Sequence, residues 1–159
     1  MAKGKRKAAS GDVATNRQAS FRYHLLDRLE AGIVLRGTEV KSLRTNGAQM
    51  RDSYATLTSD GELWLHNLHI PPYTPAAREN HDPDRSRKLL LHRREIDRLV
   101  GRIRERGLTV VPTRMYFKGP HAKVEIALAR GKDVRDKREA IREREMRRDV
   151  ERALREARR

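Results

Sequence analysis

The chain has 159 residues, with 37 Lys and Arg against 22 Asp and Glu, a formal net charge of +15 and a pI near 11.0. That length suits one domain of ordinary size plus tails and excludes a large multidomain enzyme. The absence of cysteine excludes disulfide frameworks, thiolate zinc sites and thiol nucleophiles.

No apolar run approaches the roughly 18 residues of a membrane span. Met1–Ser10 is basic but has no apolar segment behind it, so it does not read as a secretory signal and the expected setting is the cytoplasm. A charge of +15 on so small a chain points to a polyanionic partner, nucleic acid first and an anionic membrane second. A merely solvated, arginine-rich surface is the competing explanation, since 28 of the 37 basic residues are Arg. The charge is spread unevenly, with +4 on residues 1–20, +7 on 21–130 and +4 on 131–159. Residues 1–15 read as a flexible basic arm.

Apolar residues concentrate in the middle segment. Phe21, Tyr23 and Leu25 alternate, and Ile33, Val34 and Leu35 follow Gly32, which predicts one or two strands interrupted near residues 30–32. Thr38 is the expected N-cap of a short helix that turns Val40, Leu43 and Ala48 inward and leaves Lys41 and Arg44 outside. Residues 54–58 form a strand, Asp60-Gly61 a turn, and residues 62–70 the partner strand. Pro71-Pro72 ends it, and a polar loop runs through residues 73–87. Ile96, Leu99, Val100 and Ile103 make one apolar helical stripe, closed by Gly107. Strands over 108–117 and 122–129 follow, the second with Val124, Ile126 and Leu128 on one face and Lys123 and Glu125 on the other. Five or six antiparallel strands with one main helix favour a small closed or partly closed barrel, with an α+β sandwich as the alternative.

Chemistry-bearing residues form no enzyme-like constellation. His66 and His69 are placed in one strand on opposite faces, so they cannot share a metal there. Asn80-His81-Asp82 lacks the companion spacing of a nuclease site. No GxxxxGK[ST] or GxGxxG occurs, and Glu30 and Glu39 have no evident second carboxylate.

Several blocks, in order, resemble one family: Ala-Thr-Asn-Arg at 14–17, Glu-Ala-Gly-Ile-Val-Leu at 30–35, Gly-Thr-Glu-Val-Lys-Ser-Leu-Arg at 37–44, Asp-Ser-Tyr-Ala at 52–55 and Leu-His-Asn-Leu-His-Ile at 65–70. His-Asp-Pro at 81–83, Arg-Lys-Leu-Leu-Leu-His at 87–92, Arg-Glu-Ile-Asp-Arg-Leu at 94–99, Tyr-Phe-Lys-Gly at 116–119, Lys-Val-Glu at 123–125, Gly-Lys at 131–132 and Asp-Lys-Arg-Glu at 136–139 continue the series. The chain resembles the SsrA-binding proteins (small protein B, SmpB) from about residue 14 onward.

The resemblance implies a mainly β fold, an OB-fold-like antiparallel β-barrel of about six strands with flanking helices, spanning residues 16–130. It implies a C-terminal tail, 131–159, that is disordered or loosely helical alone and helical on the ribosome. It implies binding to the tRNA-like domain of transfer-messenger RNA (tmRNA, SsrA RNA) and entry into stalled 70S ribosomes, alongside elongation factor Tu, for trans-translation. The tail then probes the 16S rRNA decoding centre and message channel. No catalysis, metal, cofactor, membrane or DNA is implied.

The candidate RNA-binding residues are Asn16, Arg17, Glu30, Lys41, Arg44, Lys88, Leu90, Lys118 and Lys123. Lys and Arg neutralise phosphates, whereas Glu30 has to accept from base amino groups or 2′-hydroxyls. Leu90 is the apolar contact, at least one of Leu89–Leu91 is expected to face out, and Tyr54 is expected to pack. Lys132, Arg135, Asp136, Lys137 and Arg138 are the candidate decoding-site residues. Within the tail, Met146, Val150, Ala153, Leu154 and Ala157 make a weak apolar stripe. Val134-Arg135 stands where the family often has an aromatic or His, Met146 where a Trp is common, and Gln18, Ser20 and Gly47 where basic residues are frequent. The alternatives are a general RNA chaperone without tmRNA specificity and, less favoured, a nuclease.

Overall fold

The computed structural model describes residues 11–132 and 134–158. Seven strands and four α-helices follow in chain order: β1 (Asp12–Thr15), α1 (Ala19–Arg22), β2 (Tyr23–Ile33), α2 (Gly37–Asn46), β3 (Tyr54–Leu57), β4 (Leu63–His66), a 3₁₀ turn (Thr74–Glu79), β5 (Arg87–Leu90), α3 (Arg93–Arg106), β6 (Thr109–Lys118), β7 (His121–Gly131) and α4 (Val134–Ala157). Every pairing between strands is antiparallel. β6, β3, β4, β5, β2 and β7 close on themselves through the β6–β7 pairing, and β1 rides outside on β6. The six-stranded ring is the OB-like barrel, and closing it leaves no ring strand with an open edge.

Alternation builds the interior. Ala31, Met115, Val124 and Ile126 of the long strands meet Leu63, Leu65 and Leu89 of the short ones, all buried. Leu43 from α2 and Leu99 from α3 join the same core. A smaller cluster of Ala19, Val111 and Ala129 lies under α1.

Several expectations are corrected. The chain enters the sheet already at Asp12, so the arm of residues 1–15 is shorter than expected and its first ten residues lie outside those described. Phe21 belongs to α1 and not to a strand, and β2 runs unbroken through residues 30–32 with its irregularity between Leu25 and Arg28. Arg36, not Thr38, caps α2. The Glu39 carboxylate accepts from the Arg36 N–H at 3.0 Å, and the Thr38 hydroxyl instead pairs with His81 Nδ1 at 3.0 Å. β4 stops at His66 because Asn67 takes a left-handed φ of 62°, so His66 and His69 do not share a strand. Tyr54 lies on the outer wall, its ring 5.2 Å from that of His66.

Two polar devices fix the frame. Gly47 ends α2 with φ 71°, and a side chain there would bring its Cβ within 2.8 Å of the Val13 carbonyl, so only glycine lets α2 meet β1. Glu39 and Arg87 are both fully buried and bonded to each other. Arg87 also donates to the carbonyls of Leu68 (2.6 Å) and Pro83 (3.0 Å), and Arg85 donates to Glu39 from the half-exposed side (Nε, 2.9 Å). Every buried side-chain nitrogen and oxygen among the described residues has a partner, the condition under which buried charge is tolerated.

The tail is a continuous 24-residue helix, α4. Met146, Val150 and Leu154 are exposed, so the apolar stripe does not meet the barrel. The Arg-rich face turns toward α1, with Arg144 over the Phe21 ring at 5.3 Å. A groove of about 1050 Å³ separates the two helices, lined among others by Arg17, Arg22, Arg144, Arg147 and Glu143.

Candidate nucleic-acid interface

The register aligns one row of residues across four strands. Leu90 (β5) pairs with Gly32 (β2), Gly32 with Lys123 (β7), and Lys123 with Tyr116 (β6). Directly opposed residues share a face, as do residues two apart in one strand. Glu30, Lys88, Arg114, Lys118 and Glu125 therefore join this row on the outer wall, opposite the face that carries Ala31, Met115 and Val124 into the core.

Leu90 is 51% exposed while its neighbour Leu89 is buried, as expected for the triple-leucine segment. Gly32 is flat ground beneath it. A Cβ there would sit 3.3 Å from the Leu90 Cβ and 3.7 Å from Lys123 Nζ. Lys88 pairs with Glu62 at 3.0 Å, and Trp64 Nε1 donates to the same carboxylate at 3.1 Å.

Glu30 and Glu125 are the acids of this row, and Glu30 is the more exposed of the two. Glu30 accepts from the Tyr116 hydroxyl and, at 3.4 Å, from Lys118 Nζ. The Tyr116 hydrogen bond is the main cause that holds its carboxyl below the usual carboxylate range, opposed by desolvation and aided by Lys118 and Lys123. Tyr116 is pushed up to about 12, by burial first and by its bond to Glu30 second. The Arg114 guanidinium lies 4.5 Å from the Tyr116 ring centroid and is itself held by Asp12 (3.1 Å) and Glu125 (3.0 Å).

The other candidates lie elsewhere. Arg44 covers the Phe117 ring at 4.1 Å, and Lys41 lies 5.8 Å from the Tyr73 ring, both on exposed positions of α2. Asn16 is half-buried and spends its amide on the Pro112 carbonyl (2.9 Å), clamping β1 to β6. Arg17 is exposed at the groove beside α4. Lys132 donates from Nζ to the Ser20 carbonyl (2.9 Å), and Asp136 lies 3.1 Å from His24. Lys137 is half-buried and Arg138 exposed. The Arg135 side chain lies outside the described residues. The candidates thus fall into a wall patch, an α2 pair, the Asn16–Arg17 pair after β1 and a tail set, not one surface.

Three histidines are in structural bonds: His81 is buried between Thr38 and the Ile70 carbonyl (3.0 Å), His66 bonds Ser86 (2.8 Å), and His69 bonds Asp84 (2.8 Å). No group of three or more His, Asp or Glu among the described residues is placed to hold a metal. No helix among them is long and apolar enough to cross a membrane.

Tyr116, Arg114 and Gly32 were not singled out by sequence reasoning. The period-2 alternation that put Lys123 outside also puts Tyr116 and Arg114 beside Lys118. What the sequence could not give was the β6–β7–β2 register that joins them to Glu30.

A small closed barrel presenting a basic wall with an exposed aliphatic residue and ordered acids is the form of an OB-type nucleic-acid-binding protein. The comparisons narrow that class. The family model described as SmpB protein matches residues 13–156. The SsrA-binding protein of Carboxydothermus hydrogenoformans is 54% identical over 143 residues, covering 90% of this chain and 95% of that one. That of Mycolicibacterium vanbaalenii is 56% identical over 142 residues, covering 89% and 86%. A solved structure described as "tmRNA-SmpB: a journey to the center of the bacterial ribosome" aligns with a TM-score of 0.65 and 47% identity, over 81% of this chain and 94% of that one. The chain belongs to the SmpB protein family.

Proposed function

We propose that the outer wall of β5, β2, β7 and β6 binds the tRNA-like domain of tmRNA, and that the protein delivers this RNA to stalled bacterial ribosomes for trans-translation. The observation that carries the reading is the wall itself: Leu90 half-exposed over Gly32, with Lys123, Lys118 and an ordered Glu30 in register beside it. Family membership and the solved tmRNA–SmpB relative support the same partner. Lysines on this wall and Arg44 on α2 neutralise phosphates, while Leu90 offers an apolar contact to sugar or base. The protein acts by binding, in the cytoplasm, alongside elongation factor Tu, and the ribosome performs the peptide transfer. The tail residues Lys132, Arg135, Asp136, Lys137 and Arg138 engage the decoding centre.

The test is a titration of the full chain against tmRNA and against an unrelated structured RNA of equal length at physiological salt. A nanomolar-class complex with tmRNA, at least about 100-fold tighter than the other, is expected. Equal affinity for both favours a general RNA chaperone instead.

Gly32→Ala probes the wall without touching a charge. The backbone of Gly32 is ordinary extended strand, so the new methyl acts by displacing Leu90 by a few tenths of an ångström and filling the space against the Lys123 ammonium, 3.7 Å away. Binding to tmRNA is expected to weaken by about threefold to tenfold, or ~0.7–1.4 kcal/mol, with the thermal midpoint nearly unchanged. Unchanged affinity removes Leu90 and Lys123 from the interface.

A further inference from the structure

We propose that Tyr116 is a positioning residue for RNA recognition, holding the Glu30 carboxylate as a fixed hydrogen-bond acceptor on the barrel wall. The proposal rests on the reading of Glu30 as RNA-facing and adds what makes an acid useful there.

An exposed glutamate on a strand rotates freely and, on a phosphate-binding wall, repels its ligand. It contributes only if its oxygens stand where RNA donors arrive. In register, Glu30 faces Glu125, and like charges directly opposite each other destabilise a sheet. The cross-strand neighbour therefore gives no reason for an acid at this position, and what favours the carboxylate is its bonds to Tyr116 and Lys118. The contact with Lys118, at 3.4 Å between two exposed side chains, is too loose and solvated to fix a rotamer.

Tyr116 supplies the constraint. Its hydroxyl donates to Oε2 of Glu30, and its ring is held from behind. Arg114 packs over the ring and is anchored on two sides by Asp12 of β1 and Glu125 of β7. Glu125 is fixed in turn by the Thr113 hydroxyl (2.8 Å) and Arg28 (3.1 Å). The order runs from β1 through Arg114 and Tyr116 to Glu30, across strands far apart in sequence. A carboxylate accepts about four hydrogen bonds. Tyr116 and Lys118 use two, which leaves capacity for two donors such as a 2′-hydroxyl and an exocyclic amino group. Those are the groups that distinguish one RNA site from another, and phosphates are not among them.

The experiment compares full-length Tyr116→Phe, Glu30→Gln and the double variant, each against the tRNA-like domain of tmRNA and an unrelated structured RNA, over a range of salt. Tyr116→Phe removes one oxygen and keeps the ring under Arg114. It is expected to weaken the tmRNA complex about fivefold to tenfold and leave the unrelated RNA unaffected. The slope of log affinity against log salt stays unchanged, because no phosphate contact is lost. The double variant is expected to bind no worse than Glu30→Gln. A ¹³C titration of the Glu30 carboxyl is expected to move up toward the ordinary range in Tyr116→Phe, a change that a purely structural tyrosine would not cause.

Wild-type specificity in Tyr116→Phe, equal weakening of both RNAs, or additive losses in the double variant overturns the proposal while leaving Glu30 in place. Wild-type specificity in Glu30→Gln removes the reading of Glu30 itself, and the proposal with it.

Discussion

Glu39→Ala is expected to destabilise the protein by about 3–5 kcal/mol, because it leaves the buried Arg87 guanidinium without its counter-charge. A domain of this size is stable by only about 5–15 kcal/mol in all, so the thermal midpoint should fall by on the order of 10 °C. The control is the double replacement Glu39→Leu with Arg87→Met. Removing both charges together is often neutral, since the desolvation cost disappears along with the attraction. It should recover much of the loss, and a double variant as unstable as the single one argues against the pair as the cause.

The same pair sets an acid limit. Burial alone pushes the Glu39 carboxyl up, but the Arg36 N–H and the Arg85 and Arg87 guanidiniums more than offset it, so its pKa in the folded protein lies below the unfolded value. A depressed carboxylate contributes stability that is present above the unfolded pKa, about 4.3, and is lost as pH falls through the folded pKa. Urea midpoints measured from pH 7 downward should therefore drop below about pH 4.3, and this acid limb should be shallower in Glu39→Gln.

The second large effect concerns the tail. A chain ending at Lys132 is expected to bind tmRNA within about threefold of the full protein and to melt at nearly the same temperature, yet to support no peptide tagging in a reconstituted translation reaction on stalled ribosomes. The reason is how lightly α4 is attached. No described side chain of α4 is buried, and the His24–Asp136 pair and Arg144 over Phe21 lie at half-exposed or exposed positions, while Lys132, which fastens the start of the segment, is retained. Ion pairs at such positions contribute little. The helical circular dichroism of the 24 residues of α4 should disappear from the truncated chain without a change in the barrel's transition. Replacing Asp136, Lys137 and Arg138 together by Ala should give the same division in the intact chain, with binding kept and tagging lost. Collapse of tmRNA binding in either variant would mean that α4 belongs to the RNA-binding surface.

Much of the barrel was legible because its long strands alternate cleanly. Val124, Ile126 and Leu128 inside, with Lys123 and Glu125 outside, required only period 2, and Ile96 through Ile103 required only the helical stripe. The errors fall where local pattern and tertiary context disagree. Phe21 alternates with Tyr23 and Leu25, yet the chain makes a helical turn at Ala19–Arg22 to bury Ala19 against Val111 and Ala129. Glu39 reads as a polar helical position and is wholly buried, because its partner Arg87 is 48 residues away. The α4 stripe reads as weak, and it stays exposed while the opposite side, with Arg144 over Phe21, turns toward α1. For the site, the resemblance supplied individual residues. It could not say that Glu30, Tyr116, Lys118 and Lys123 meet, since that depends on a register between strands nearly a hundred residues apart.

That separation bears on how the molecule is made. The ring closes through β6 and β7, the last two strands in the chain, which pair Tyr23 with Gly131 and Asp12 with Tyr116. Until residue 118 has been synthesised β1 has nothing to pair with, and until residue 131 β2 lacks its longest neighbour, so the earlier strands emerge with bare edges. Closure waits on contacts of high sequence separation, which places folding in the slow, millisecond-to-second regime of small β-proteins. A nascent chain cut short before β7 has no smaller barrel to fall back on. Folding of the barrel therefore waits until β7 has been made.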